Sequence, residues 1–172
     1  SLKRHWRTSS LFTEALSDHV GQRTKLLGVE AYEALIKAGV AEKKAFSWAQ
    51  EIAKVFGKLK PAKKDQPLQE LEIEQLVHIS PSERQAMDAL VSVLAAEQRA
   101  PEKEELELLR QDHQAADIAL FGRMLASKVM YNTEAACQVA HALSVHPTVI
   151  EDDYFTAVDD LNSNEEDAGA GH

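Results

Sequence analysis

The first residues whose types and spacing suggest chemistry are cations. Lys3, Arg4 and Arg7 surround Trp6 in the opening stretch SLKRHWRTSS, although the chain has a formal net charge of −9. In a helix, Lys3 and Arg7 share one face and Arg4 lies about 100° away, so the three can follow a phosphate backbone. Neutralising three phosphates of a single strand gives a slope of log affinity against log salt of only about −2. The cluster is therefore either a weak backbone-binding patch that gains from many arrayed copies or a solvated helix face.

Histidines and aspartates near the C-terminus are candidates for a metal site. His141 and His146 lie five residues apart, and two aspartate pairs follow at 152–153 and 159–160. Residues five apart in a strand point to opposite faces, so the two histidines do not converge on one ion. The aspartates lack the spacing and central glycine of an EF-hand. We expect no metal site here, and an exposed acidic face instead.

No other motif points to catalysis. The chain has no glycine-rich phosphate loop, no serine nucleophile motif and no CxxC pair. Cys137 is the single cysteine and lies among apolar residues, as is typical of a packed thiol. One cysteine permits no intrachain disulfide, and no apolar run approaches the roughly 20 residues of a membrane span. We therefore expect a cytoplasmic protein that is not an enzyme, needs no cofactor and contacts no membrane.

Helical periodicity dominates the region after the basic cluster. Ser1 is placed to cap a short helix through Arg7. Two apolar stripes then recur at helical spacing, separated by Gly39, a residue type common at helix C-termini. The first stripe comprises Leu26, Leu27, Ala31, Leu35 and Ile36, and the second comprises Phe46, Ala49, Ile52, Ala53 and Phe56. Two antiparallel helices are the arrangement that buries both stripes.

A clear helix start lies in the middle of the chain. Two prolines bracket the basic loop KLKPAKKDQP, and LEIEQLVHI after it fits either a short strand or a helix. In SPSERQ, Ser80 is placed as the N-cap, Pro81 as the first helical residue and Glu83 as the partner that closes a capping box. We predict a helix from Pro81 to about Glu97, and another that restarts at Pro101 with glutamates near its positive end.

The period changes in the last third of the chain. ADIALFGRM is interpreted as a strand. In AACQVAHALSVH, the alternation required of a strand is met by Cys137, Val139, His141, Leu143 and Val145. An alanine-rich helix is the competing interpretation of that second stretch. The order of elements predicts an α+β fold, mostly helical, with a helical block inserted between an N-terminal helix and a pair of strands.

Three stretches together resemble a known family. SLKRHWR, DIALFGRMLAS and AHALSVHPTVIEDDYFTAVDDL occur in this order, with a helical block of suitable size between the first two. They resemble the CasC family, the crRNA-binding backbone subunit of the type I-E CRISPR Cascade complex. The match is specific around Arg123 and Asp159. It is loose from about Gly21 to His113, where helical periodicity carries over but the residues do not.

The resemblance implies a fold likened to a hand. Its palm, a modified RRM (ferredoxin-like) sheet, carries a helical fingers insertion and a thumb loop. Residues 1–20 would be a palm helix segment, 21–114 the fingers, 115–149 palm strands and 150–172 the start of an acidic, mobile thumb. Because further palm strands are expected on both sides, the palm would be incomplete and the chain a piece of a longer protein.

The resemblance also implies non-catalytic RNA binding in antiviral defence. Family subunits polymerise along the spacer part of a crRNA, whose bases rather than the protein read the target DNA. The helix matching SLKR would put Lys3 and Arg7, together with Arg4, on phosphates. Met124 would pack against the RNA near a kink, and Thr156 would lie at the thumb position. The implied partners are crRNA, target DNA through the guide, neighbouring copies of the chain and other Cascade subunits.

Other functional classes stay open at this point. The acidic balance and the helical middle also fit a protein–protein interaction module without a nucleic-acid role. Convergence of Lys3, Arg7 and Met124 on one surface would favour RNA binding over that module. A helix-turn-helix DNA binder is a weaker third choice, because no helix combines basic residues with the base-reading side chains that a major groove requires.

Overall fold

The computed structural model describes residues 2–7, 9–62, 67–110, 115–125, 129–141, 143, 145, 147, 155–156 and 170–171. For residues 2–4, 67, 155–156 and 170–171, the backbone alone is described.

Helices make up most of these ranges. They are α1 (Leu2–Arg7), α2 (Ser10–Leu16), α3 (Leu27–Lys37), α4 (Glu42–Phe56), α5 (Pro81–Glu97), α6 (Lys103–Leu108) and α7 (Ala116–Phe121). Short 3₁₀ turns lie at Ser17–His19, Pro67–Leu71 and Val129–Tyr131. Among the described residues, no helix combines the length and the apolar character needed to cross a membrane.

The two helices predicted from the apolar stripes are α3 and α4, which pack against each other. Gly39 follows α3 with a φ of 87° and donates its N–H to the carbonyl of Ile36, as expected of a glycine beyond a helix C-terminus. Both helices contribute to one apolar core with α5. Its members include Leu27, Ala31, Leu35, Trp48, Ala49, Ile52, Ala53, Phe56, Met87, Leu90, Val91 and Leu94.

Helix α5 begins where the capping residues predict and ends at Glu97, as expected. The Ser80 hydroxyl accepts a hydrogen bond from the N–H of Glu83, and the Glu83 carboxylate accepts one from the N–H of Ser80. These contacts satisfy two backbone groups that a helix start leaves without partners. Helix α6 begins close to the expected restart, with Glu104 and Glu105 in its first turn. Both predictions are confirmed.

A two-stranded antiparallel sheet joins the start and the end of the α3–α4 region. Strand β1 (Gln22–Thr24) pairs with β2 (Val77–Ile79), with Thr24 opposite Val77. The stretch LEIEQLVHI is therefore a strand at its end, and Ile73 forms an isolated bridge with Leu59. The coarse prediction of an α+β fold that is mostly helical is confirmed.

The strand predicted for ADIALFGRM is wrong, since residues 116–121 form helix α7. A continuous apolar run such as Ile118–Phe121 fits a helix as well as a strand, so its period carries little information. Gly122 ends the helix with a φ of 71°, and a Cβ at this position would come within 2.7 Å of the Thr133 carbonyl oxygen. Glycine is therefore the residue that this turn accommodates.

The second predicted strand, AACQVAHALSVH, has neither strand nor helix in its described residues. Ala136 and Cys137 donate their N–H groups to carbonyls of α7, and the described residues that follow up to 147 form no strand ladder. Val139, Leu143 and Val145 are exposed, so the alternating apolar face has no packing partner among the described residues. An alternating pattern specifies a strand only where a neighbour pairs with it and covers its apolar face.

Near the C-terminus, β3 (Phe155–Thr156) pairs antiparallel with β4 (Ala170–Gly171). The expected four-part division into palm, fingers, palm strands and thumb stays a prediction.

Candidate nucleic-acid interface

The basic helix α1 is held in place through Arg7. This side chain is only 9% exposed, and its Nε donates to Oδ2 of Asp117 at 2.9 Å. Its Nη2 donates to the carbonyl oxygen of Gly21 at 3.0 Å. Trp6, one residue earlier, packs edge-to-face on Phe121, with ring centroids 6.2 Å apart. The guanidinium of Arg7 therefore serves an internal ion pair.

Asp117 lies in the first turn of α7 with no exposed surface. Besides Arg7, it faces the N–H of Gly21, which donates to Oδ1 at 2.8 Å, and Nε2 of His78, which lies 2.7 Å from Oδ2. Burial raises the pKa of this carboxyl, but the hydrogen bond and charge of His78, the N–H of Gly21 and the charge of Arg7 together outweigh it, so that the pKa falls to about 2. A buried carboxylate needs such donors to remain ionised. Asp117 thus joins α1, β2, α7 and the residue before β1 at one point.

A second buried ion pair lies next to it. Nη1 of Arg123 donates to both carboxylate oxygens of Glu83, at 3.0 and 2.8 Å, and also to the carbonyl oxygen of His78 at 3.0 Å. The side chain of His78 faces Asp117 while its carbonyl faces Arg123. The two ion pairs are therefore linked through a single residue of β2.

Arg110 completes this buried group. Its Nε lies 3.4 Å from Oε1 of Glu83, and its guanidinium lies over the rings of Phe56 and Tyr131, at 4.8 and 5.0 Å from their centroids. Its Nη1 donates to the carbonyls of Val55 and Phe56 in the last turn of α4, which is the end of a helix that favours a cation. Burial lowers the pKa of Arg110 to about 10, so the group is charged at neutral pH.

Met124 follows Arg123 directly and is 86% exposed. It borders a cavity of about 310 Å³, whose other wall is formed by Gly57 and Lys58 after α4 and by residues 73–77. An exposed methionine beside a groove is a flexible apolar contact surface, suited to packing against a flat ring. The structure thus places Met124 where a ligand can reach it.

The other predicted site residues are described less completely. Lys3 and Arg4 lie in α1, and Thr156 lies in β3, but their side chains are outside the described residues. Arg7 borders a different cavity from Met124, beside Ser80 and Arg84. Arg7 and Met124 therefore do not line one pocket; instead they are connected through Asp117, His78 and Arg123.

Sequence reasoning missed the buried charged residues that support this surface. Asp117, Glu83, Arg110 and Arg123 have almost no exposed surface. One signal for Asp117 was available, because an acidic residue inside the apolar run ADIALF is buried only if it is paired. Its partner Arg7 is 110 positions away, and no local pattern identifies a partner at that separation.

Metal and thiol chemistry receive no support from the part of the chain that the structure describes. Within it, no three His, Cys, Asp or Glu side chains are grouped to hold an ion. His141 is exposed and Cys137 is partly buried. His146 and the aspartate pairs at 152–153 and 159–160 lie outside the described residues.

Two solved structures are similar to this chain. A chain of a "CRISPR RNA-guided surveillance complex, pre-nicking" is 27% identical with a TM-score of 0.60, and the match covers 100% of this chain and 49% of that one. A chain of a second "CRISPR RNA-guided surveillance complex" is 22% identical, also with a TM-score of 0.60, over 84% of this chain and 46% of that one. The chain thus spans about half the length of these solved relatives. No curated protein matches it.

A family model described as CT1975-like protein matches residues 1–172. This match, together with the likeness to subunits of surveillance complexes, confirms the resemblance identified from SLKRHWR, DIALFGRMLAS and the acidic C-terminal stretch. The chain belongs to the CT1975-like protein family.

Proposed function

We propose that this chain is part of a CasC-type backbone subunit, which binds crRNA without catalysis in a type I-E Cascade surveillance complex. The observation that carries the proposal is the family match over residues 1–172, joined to a 27% identical chain of a CRISPR RNA-guided surveillance complex. A fold alone does not fix a function, so the proposal also depends on the surface that this chain presents.

Arg7 and Met124 line different cavities, so the convergence expected of an RNA-binding surface is not seen for this pair. Two separate features support RNA binding. Helix α1 carries Lys3, Arg4 and Arg7 and has no acidic residue in its first turn. Met124 is exposed beside a groove. A cationic helix contributes phosphate contacts, and an exposed apolar side chain contributes contacts to unstacked bases. Arg7 is engaged with Asp117, so Lys3 and Arg4 are the phosphate contacts in this proposal and Arg7 anchors their helix.

In this role the protein performs no reaction. The guide RNA pairs with target DNA, and the protein holds the RNA backbone in a shape that allows pairing. Neighbouring copies and other Cascade subunits would share one RNA, with Thr156 at the contact between a thumb and the next copy. An RRM palm, with α3 to α6 as the fingers, belongs to the same proposal.

Fluorescence anisotropy of a labelled single-stranded RNA, measured across a salt series, tests the proposal. The variant Lys3→Glu/Arg4→Glu reverses two charges of α1 and leaves the buried pair of Arg7 intact. We expect it to abolish binding at low salt, because it removes two phosphate contacts. Each of these contacts contributes about 0.7 to the slope of log affinity against log salt.

The matched control is Lys43→Glu/Lys44→Glu, which makes the same change of charge at two exposed positions of α4. Weak loss in this control and full loss in the α1 variant would support a phosphate grip at α1. Equal binding by both variants would overturn it. Absence of RNA binding by the unaltered chain would favour the alternative of a protein–protein interaction module.

A further inference from the structure

We propose that Asp117 is a positioning residue of the RNA-binding surface, which holds the basic helix α1 in a fixed place relative to Met124. The inference rests on the proposed function, because α1 and Met124 matter here as RNA contacts. The residue itself touches no RNA in this account; it acts through Arg7 and through the helix that leads to Met124.

The first step concerns α1, which cannot hold its position alone. A helix of six residues is far shorter than the roughly 12 to 15 residues at which isolated helices become marginally stable. Its anchors include the ion pair between Arg7 and Asp117, the bond from Arg7 to Gly21, and the packing of Trp6 on Phe121 and Phe12. Asp117 and Phe121 both belong to α7, so the place of α1 depends on α7.

The second step concerns Met124, whose position depends on the same helix. Helix α7 is about 9 Å long at 1.5 Å per residue, and after Gly122 it leads into Arg123 and Met124. Arg123 is fixed by the Glu83 carboxylate and the carbonyl of His78. Since His78 also faces Asp117, both ends of α7 are tied to β2. Asp117 therefore sets the spacing between the basic helix and the exposed methionine.

The third step gives the benefit for binding. Cations on a helix that is already ordered lose less freedom when they contact a phosphate backbone than cations on a mobile segment. A change at Asp117 should therefore weaken RNA binding even where the protein remains folded. Its expected effect is about tenfold in Kd, which corresponds to ordering one or two long side chains on binding.

The variant Asp117→Asn tests this, with Trp6 as the reporter of α1. Trp6 and Trp48 are the two tryptophans, so a Trp48→Phe background leaves Trp6 as the sole indole emitter. In Asp117→Asn we expect stronger acrylamide quenching of Trp6 and a higher Kd for single-stranded RNA. We also expect a shallower slope of log affinity against log salt, with an unchanged far-UV circular dichroism spectrum. Unchanged Trp6 quenching would overturn the inference whatever the RNA result.

Two further measurements separate positioning from lost stability. Leu94→Ala removes a fully buried side chain of the α3–α5 core and destabilises the fold without touching α1, so it should leave Trp6 quenching and Kd unchanged while the protein is folded. In a double-mutant cycle, Arg7→Met with Asp117→Asn should bind RNA no more weakly than Asp117→Asn alone, because the effect of Arg7 on α1 passes through its contact with Asp117. Additive losses would overturn the inference.

Failure of this inference and failure of the proposed function give different results in the RNA-binding experiments. If Lys3→Glu/Arg4→Glu binds RNA like the unaltered chain, the phosphate grip at α1 is wrong. If that variant loses binding while folded Asp117→Asn keeps it, the grip holds and the positioning role of Asp117 is wrong.

Discussion

At the scale of single residues, Glu83 is a carboxylate shared by two buried cations. Its side chain and those of Arg110 and Arg123 are almost entirely removed from solvent. The same carboxylate accepts the N–H of Ser80 at the start of α5. A buried ion pair adds little net stability over an apolar replacement, but removing one partner leaves the other charge uncompensated. The cost of a substitution therefore depends on which member of the group is lost.

We expect Glu83→Gln to lower the free energy of unfolding by about 3 kcal/mol, since it leaves Arg110 and Arg123 without a counterion. Urea unfolding followed by circular dichroism measures the change. The matched control is Glu97→Gln in the same helix, whose partly exposed side chain pairs with Arg99; there we expect less than about 1 kcal/mol. Similar losses in both variants would show that the Glu83 group is not held as a buried pair.

At the scale of elements, Gly28 shows how packing reverses an intrinsic preference. It lies in the first turn of α3 and is buried. Alanine is normally the better helix former by about 1 kcal/mol. Here a Cβ would come within 2.2 Å of the Leu71 carbonyl oxygen and 2.9 Å of the Cβ of Ala53. The close approach of α3 to the 3₁₀ turn and to α4 thus requires a residue without a side chain.

We expect Gly28→Ala to destabilise the protein by about 1 to 3 kcal/mol, the usual cost of overpacking. Thermal unfolding measures the shift in Tm. The reference is Ala34→Gly at an exposed position of the same helix, which should lose about 1 kcal/mol through propensity alone. A gain in stability for Gly28→Ala would mean that α3 can move away from Leu71 at little cost.

The contrast between α5 and α7 explains how much of the fold follows from the sequence. The start of α5 is predicted because Ser80, Pro81 and Glu83 act on backbone groups within three residues. Whether α7 is a helix or a strand is not predicted, because its apolar run fits the period of either element. Its place is decided by contacts with Arg7, Gly21 and His78. Capping residues specify an element from its own sequence, whereas contacts between residues far apart in the chain decide the structure of a segment whose local pattern is ambiguous.

The candidate site divides in the same way. Composition and spacing identified the basic residues of α1, and the resemblance identified Met124. The burial of Arg7 was not predicted, because its partner Asp117 is 110 positions away and a local sequence pattern does not indicate a salt bridge at that separation. Predicted contacts by Lys3, Arg4 and Thr156 await the RNA experiments.

At the scale of the whole molecule, a chain of net charge −9 begins with a small basic helix. A grip of two or three cations is weak by itself, and the acidic remainder opposes adhesion to nucleic acid at other sites. This balance suits a subunit that acts in an array. Several weak grips on one strand raise the effective concentration of each.

We expect affinity per site to rise at least about tenfold between an RNA that holds one copy and a longer RNA that holds several. Anisotropy titrations of both RNAs, with sedimentation to count bound copies, measure the effect. Equal affinity per site on the two RNAs would contradict an arrayed mode of binding. The variant Lys3→Glu/Arg4→Glu should lose the gain with length as well as the binding.

The pairing of β1 with β2 bears on how such a subunit can diversify. Because Thr24 and Val77 are partners in register, the chain leaves this strand pair and returns to it at the same point. Residues 25–76 can therefore lengthen, shorten or exchange their outer surface with little displacement of Gly21, His78 and Asp117. A change of length or outer surface in this block would thus leave the contacts of Asp117 in place, but the groove beside Met124 would persist only if Gly57, Lys58 and residues 73–76, which line it, were kept.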